Sequence, residues 1–359
     1  MSRPARARID LGALRHNLRR ARTLARSSRV LAVVKANAYG HGAVAVARAL
    51  EGEADALGVA CTEEALELRD SGIRAPILLM EGVFSPDEIP LADRHRLALV
   101  VHSPEQLAWV LEARPQRPLD CWIKVDTGMH RVGLEPSQLA GAYGALRQAP
   151  QVGNLVLMTH FARADERDHP ATIQQIHRFT EACAGVEAPR SLANSAAILA
   201  WPDAHADWVR PGIMLYGASP LGDEHACASQ LRPVMQLESA LIAVRDLAAG
   251  ERIGYGGRFV CPEPMRVGVV ALGYADGYPR HAPDGTPVAV GGRVTRIIGR
   301  VSMDMLTVDL TGLEGVRPGE PVQLWGDQVS ANVVAEASGT IAYQLFTSIS
   351  GRVRRDYQG

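Results

Sequence analysis

The sequence predicts an α/β fold in two parts: a (β/α)8 TIM-like barrel followed by a mostly β domain. Two observations carry this. From residue 31 to about 217, eight short apolar runs alternate with helical patterns, as a parallel barrel requires. After about Arg232 the texture changes to alternating segments broken by Gly, Pro and Asp, which read as β structure.

The barrel strands are expected at Leu31–Lys35, Ala56–Ala60, Pro76–Met80, Leu97–Val101, Cys121–Val125, Leu155–Thr159, Arg190–Asn194 and Trp208–Tyr216. Helical patterns lie between them at Ala43–Leu50, Glu63–Asp70, Pro104–Ala113 and Thr172–Ala184. One helix start is explicit. Ser103 is placed as N-cap, Pro104 sits at the first helical position, and Gln106 is placed to close a capping box. Gly222–Pro233 reads as a linker, so the expected domains are 1–230 and 231–359. In the second, Arg293–Leu310 and Pro321–Trp325 alternate as strands do, and only Ala331–Ser338 has a helical pattern.

Composition narrows the class. The chain has 359 residues, 47% apolar and 21% charged, with a net charge of −1, which favours neither nucleic acid nor an anionic membrane as partner. Five scattered cysteines without a CxxC pair argue against a disulfide framework or a zinc site, and no metal is expected. The opening MSRPARARID is basic but has no apolar core, so no signal peptide is expected. The working class is a cytoplasmic enzyme.

In such a barrel, chemistry gathers at the C-terminal ends of the strands. There the sequence places Lys35, then Lys124, Asp126, Thr127 and Arg131 in KVDTGMHRVG. His160 follows in THF, Asn194 and Ser195 in NSAA, and Arg210 and Gly212 in VRPGI. Lys35, Arg131 and Arg210, read as buried cations with Asp126 as counter-charge, call for an anionic ligand. Ser195 and the Gly212 region make a phosphate cradle, because glycine lets backbone approach closely. A desolvated lysine beside a phosphate site suggests a Schiff base with pyridoxal phosphate.

Eight motifs in order resemble those of the alanine racemase family, fold-type III pyridoxal phosphate enzymes: VVKANAYGHG, KVDTGMHRVG, THF, NSAA, VRPGI, GYGGRF, GYADGYPR and GRVSMDM. The resemblance runs from Lys35 to Tyr343 and implies racemisation of L-alanine and D-alanine. It also implies that the segment up to Asp10 lends a strand to the β domain. By resemblance Lys35 carries pyridoxal 5'-phosphate, and Tyr39, Ser195, the backbone of Gly212 and Ile213, and Tyr343 hold its phosphate. Arg210 faces the ring nitrogen, with His160 beside the ring. Arg131 lies near the substrate carboxylate, and Lys124 matches a position often carbamylated. Tyr255 and Met303 come from the partner in a head-to-tail homodimer, with Tyr274 at the same entrance.

Inverting a chiral carbon needs an acid–base on each face, and the resemblance gives these roles to Lys35 and Tyr255. A free tyrosine titrates near pH ~10, so His160 backed by Arg210 would have to lower it. Arg210 donates only, which leaves the ring nitrogen unprotonated and favours return of the proton to Cα over transamination. Taken alone, Tyr255 reads as an exposed aromatic in a glycine-rich turn, and Met303 as one position on a buried strand face with Val301 and Met305. Two other classes compete. A pyridoxal phosphate carrier would share the barrel but lack the second domain. A basic amino acid decarboxylase would put an acid where Arg210 stands. D-alanine biosynthesis and catabolism use the same active-site residues. MHRVG and GRVSMDMLTVDL resemble the catabolic type more closely.

Overall fold

The computed structural model describes residues 3–359; Met1 and Ser2, assigned above to the first domain, lie outside the described residues. The first strand, β1 (Arg6–Asp10), joins no barrel. Its last residue caps the helix Leu11–Leu24, with Asp10 Oδ1 accepting from Ala13 N at 2.8 Å.

The chain then builds a closed parallel barrel from β2 (Arg29–Val33), β3 (Ala56–Val59), β4 (Ile77–Leu79), β5 (Leu97–Val101), β6 (Leu119–Lys124), β7 (Val152–Met158), β8 (Arg190–Asn194) and β9 (Trp208–Arg210). β9 returns to β2 through Arg29↔Trp208 and Val30↔Val209. Leu31, Val33, Trp122, Val156 and Met158 fill the interior. Strand alternation then carries Lys124, two residues beyond Trp122, to the inward face at the upper end.

The barrel is the fold expected, with three local departures. β2 stops at Val33, so Lys35 lies on the loop beyond the strand. The last run divides into β9 and a 3-10 turn, Ile213–Tyr216, because Pro211 and Gly212 interrupt the ladder. Ser103 does cap its helix, accepting from Gln106 N at 3.2 Å, but Gln106 does not close the box. Its Oε1 accepts instead from His102 N at 2.9 Å, while Nε2 donates to the carbonyls of Glu81 and Val83.

The second part is a sheet around the long β10 (Met235–Leu247), with a small hairpin of β11 (Arg252–Ile253) and β12 (Phe259–Val260). β13 (Met265–Val270), β14 (Pro287–Val290), β15 (Arg293–Arg296), β16 (Leu306–Asp309), β17 (Pro321–Trp325) and β18 (Arg354–Gln358) complete it. Its main path runs β15-β14-β17-β10-β1-β18, with β13 joining β10 to β16. β1 is therefore internal, antiparallel to β10 and parallel to β18. The alternating stretch 293–310 is two strands and a loop. Val301 is buried, but Met303 and Met305 are 52% and 43% exposed, so they do not share a buried strand face. Beside the helix Ala331–Ala337 lies a second, Ala342–Thr347, which the sequence pattern did not show; it carries Tyr343. Arg355 on β18 donates through Nε to Gly40 O at 2.6 Å, tying the sheet to the loop after β2.

Candidate active site

A cavity of about 760 Å³ opens at the C-terminal mouth of the barrel. Lys35, Tyr39, Lys124, Arg131, His160, Ser195, Arg210, Gly212, Ile213 and Tyr343 all line it. Residues that the sequence scatters over more than three hundred positions meet in one space.

Lys35 reaches the cavity from an unusual backbone. Ala36, Asn37, Ala38 and Tyr39 all have positive φ, from 51° to 54°, forming one left-handed turn. Such a conformation costs L-residues about 1–2 kcal/mol each, so it must be held from outside. The Glu64 carboxylate accepts from Ala36 N at 2.6 Å and Ala60 N at 2.7 Å. Asn37 Oδ1 accepts from Ala43 N at 2.8 Å. The buried His41 faces the carbonyls of Ala38 and Tyr39 with Nδ1, at 3.1 and 2.8 Å, so this nitrogen carries the proton. Burial pushes its pKa down to about 4, which keeps the ring neutral.

The turn delivers Tyr39 against β9. A Cβ added to Gly212 would stand 2.6 Å from Tyr39 Oη, so only glycine admits the phenol. Tyr39 stacks on Tyr216 at 4.8 Å, and Tyr343 lies 5.9 Å from it. Ser195 Oγ accepts from Gly212 N at 2.8 Å. Asn194 caps the helix Ser195–Ala200 through Ala197 N at 3.0 Å. Burial raises Tyr39 to about 12 and raises Tyr343 as well, so both phenols stay protonated donors.

Arg210 is 2% exposed and unusually well fixed. Nη1 donates to Ser191 O and Oγ at 2.9 and 2.6 Å; Nη2 donates to Thr159 O at 2.7 Å, Leu192 O at 3.2 Å and His160 Nδ1 at 3.4 Å. Nε is buried and has no acceptor among the described residues. Burial, then the charge of Arg210, holds His160 well below the usual histidine range.

The charge balance differs from the expectation. Of the three cations expected to be buried, only Arg210 is: Lys35 is half-buried and Arg131 exposed at the open mouth. Asp126 is not their counter-charge. Its Oδ1 accepts from the amides of Gly128, Met129 and His130 at 2.9, 3.0 and 3.1 Å, and Oδ2 lies 3.4 Å from His130 Nδ1. The carboxylate near Lys35 is Glu81, 3.9 Å from Nζ. Lys124 is buried, and that burial, with Arg210, Arg131 and Lys35 nearby, lowers its pKa to about 8.

Tyr255, Tyr274 and Met303 do not line this cavity. Tyr255 is 69% exposed, in a turn after β11. Tyr274 lies beside the Met303 loop, with Tyr274 N donating to Ser302 O at 3.0 Å.

The family models for the N-terminal and C-terminal domains of alanine racemase match residues 9–220 and 234–357. A catabolic alanine racemase of Pseudomonas putida is 57% identical over 357 residues, 99% of each chain. The chain belongs to the alanine racemase family. An alanine racemase of Pseudomonas taetrolens is 56% identical over 357 residues, again 99% of each chain. The crystal structure of the biosynthetic alanine racemase from Pseudomonas aeruginosa superposes with a TM-score of 0.96 at 49% identity, covering 99% of this chain and 100% of that one. An alanine racemase structure from Bartonella henselae, with covalently bound pyridoxal phosphate, matches with a TM-score of 0.90 at 29% identity over 99% of both chains. The activity is accordingly that of an isomerase, alanine racemase. Among the described residues no helix is long and apolar enough to cross a membrane.

The mouth of the barrel fits a phosphorylated pyridine aldehyde. The cradle at Gly212 would be closed by a Cβ, and Arg210 Nε is a buried donor in want of an acceptor. Reading the sequence missed the residues that hold this apparatus, Glu64, Glu81 and Tyr216. It also missed Gln175, whose Nε2 joins Thr127 Oγ1 to His160 O, both at 3.1 Å. Ordinary helix and loop positions gave no sign of them.

Proposed function

We propose that the chain racemises alanine with pyridoxal 5'-phosphate by two acid–bases, Lys35 on one face and Tyr255 of the partner subunit on the other. The observation that carries this is Arg210, clamped by five acceptor atoms on Ser191, Thr159, Leu192 and His160, with Nε unpartnered. Pyridoxal phosphate, when bound, supplies the conjugated system that acidifies the substrate Cα–H. Tyr39, Ser195, Tyr343 and the backbone of Gly212 and Ile213 would hold its phosphate, and Arg210 would meet its ring nitrogen.

Lys35 takes the proton from D-alanine, and in the L-to-D direction it delivers one to that same face. Tyr255 serves the L face, a reading supported by its exposure and its absence from its own chain's cavity. His160 accepts from Arg210 at Nδ1, so Nε2 carries a proton that it can donate to the Tyr255 oxygen. That donation favours the phenolate. Arg131 and Met303 bind the substrate, and Tyr274 narrows the entrance. Carbamylated Lys124 would hold Arg131, replacing ammonium–guanidinium repulsion with attraction. A head-to-tail homodimer follows from this reading, and we place it in the cytoplasm as a proposal of its own. The relatives carry both catabolic and biosynthetic names, and the same residues suit either use.

The test is chiral chromatography of L-amino acids incubated with the cofactor-loaded protein, joined to solvent deuterium exchange in Tyr255→Phe. D-alanine should form far faster than any other D-product. Because the enantiomers are equal in energy, kcat/KM must fall equally in both directions, so the asymmetry appears in exchange. Tyr255→Phe should still exchange the α-proton of D-alanine without inversion and lose exchange with L-alanine. Equal exchange of both enantiomers would sink the two-base scheme.

A further inference from the structure

Asp276 closes the turn Tyr274–Asp276 and is fully buried. A carboxylate withdrawn from water needs charged partners. Arg3 supplies both guanidinium arms: Nη1 bonds Oδ1, and Nη2 donates to Oδ2 at 2.7 Å. Arg352 adds Nε, 3.7 Å from Oδ1. Gly273 N donates to Oδ2 at 2.9 Å, closing the turn on itself.

The same two arginines grip a second loop. Arg3 Nη2 donates to Asp304 O at 3.2 Å, and Arg352 Nη2 to Asp304 Oδ1 at 2.6 Å. The turn and the loop also meet directly. Tyr274 N donates to Ser302 O and Ala275 N to Met303 O, both at 3.0 Å. Approach is so close that a Cβ on Gly273 would stand 2.3 Å from Ser302 O. On the outer side Arg280 lies 5.9 Å over the Tyr274 ring. Tyr274 and Met303 are thus spaced by one charged clamp, although neither lines the cavity of its own chain.

We propose that Arg3 is a positioning residue for the partner subunit's active site: through Asp276 and Asp304 it sets the spacing of Tyr274 and Met303 at the partner's entrance. The inference rests on the reading above that these two residues act in trans. Arg3 touches no substrate. It acts because Asp276, stripped of the Arg3 fork and left with Gly273 N and Arg352 Nε at 3.7 Å, would shift from its buried position, moving the turn that holds Tyr274 and releasing the backbone of Met303.

The test uses loaded heterodimers of the full chain with a single working Lys35, assembled from differently tagged subunits. In the first, a Lys35→Ala/Arg3→Ala subunit is paired with an unmodified one, so the working site is capped by the altered turn. In the second, Lys35→Ala is paired with Arg3→Ala, so the working site lies in the Arg3→Ala subunit and is capped by an intact turn. The first should show a KM ~10-fold higher with a smaller change in kcat, as displacement of a substrate-facing residue implies. The second should match a Lys35→Ala/unmodified heterodimer. Equal loss in both, or loss only in the second, overturns the proposal.

Tyr255→Phe put through the same two arrangements separates the layers. Loss in the first alone upholds the trans reading whatever Arg3 does; loss in the second alone removes that reading and the proposal with it. Hydrogen exchange gives a readout independent of turnover. In Arg3→Ala the amides of Tyr274 and Ala275 should exchange faster while barrel amides do not, and Arg3→Lys should fall between. Unchanged exchange at Tyr274 overturns the clamp.

Discussion

Arg210 Nη2 donates to Nδ1 of His160 at 3.4 Å, and that contact decides which imidazole nitrogen carries the proton. A guanidinium has no lone pair to offer, so Nδ1 must accept and Nε2 must hold the hydrogen. The cation also disfavours a second proton on the ring, which burial already opposes. His160 is therefore a neutral donor facing the cavity. Arg210→Lys cannot reproduce the fork that meets Ser191, Thr159, Leu192 and His160 together. In Arg210→Met, which removes the charge, the His160 ring, followed by nitrogen-detected NMR, should titrate nearer its usual range, with burial still holding it low. An unchanged titration would leave burial without any contribution from Arg210.

Lys35→Ala should abolish the visible absorbance of lysine-bound cofactor when pyridoxal phosphate is added. Borohydride reduction followed by peptide mapping should then find no labelled peptide containing residues 31–42. A labelled peptide elsewhere in the chain would assign the reactive amine to another lysine.

Lys124 makes stability depend on pH with a definite sign. Its amine falls from 10.5 to about 8 in the folded state. Between those values the unfolded chain holds more protons, so stability rises with pH across that window. In carbon dioxide-free buffer, Lys124→Met should stabilise most at and below pH 8, with the gain shrinking toward pH 10.5, as read from denaturant melts. A gain that does not vary with pH would contradict the assignment. With labelled bicarbonate, the neutral amine available near pH 8 should give a carbamate signal that Lys124→Met lacks.

Glu64 is the prop of the left-handed turn that can be removed without touching the cavity. Glu64→Ala leaves Ala36 N and Ala60 N without their acceptor, a loss of about 1.5–3 kcal/mol for a charged hydrogen bond. Cofactor dissociation, followed by absorbance titration, should strengthen in proportion, by ~10-fold or more. Glu64→Gln, which keeps one acceptor oxygen, should recover part of the affinity. Equal affinity in all three proteins would mean that the turn holds itself.

His41 adds an acid limit. Its native pKa, lowered from 6.5 to about 4, means the unfolded state takes up the proton first as pH falls. Stability should be lost from about pH 6.5 downward toward pH 4. His41→Gln should flatten that part of the profile, and an unchanged slope would assign the loss to another group.

The barrel was legible because each strand is a short apolar run with a polar group at its end, and periodicity survives in a linear reading. Lys35, His160 and Arg210 were legible for the same reason. What the sequence hid depends on who meets whom. Arg131 was expected to be buried, yet it stands at the open rim. Asp126 was expected to neutralise cations, yet three successive amides claim it. Glu64 sits in a helix beside the exposed Glu63 and Glu67, which look alike in sequence, and only the fold singles it out. Met303 alternates with its neighbours as a strand would, but the loop between β15 and β16 turns it outward.

The position of β1 has a further consequence, for the order in which the chain can fold. Arg6–Asp10 lies beside Arg354–Gln358, so the sheet whose β15–β16 loop carries Met303 contains the first and last strands of the described chain as neighbours. Loop closure over so long a separation comes late, because its entropy must be met before the pairing rewards it. The barrel strands, paired with near neighbours in sequence, can form while that sheet is still open. A fragment beginning after the linker would lack its internal strand and present the unpaired edge of β10, an invitation to aggregation. The two halves are separate in outline, but as folding units the second is completed only by the opening residues of the first.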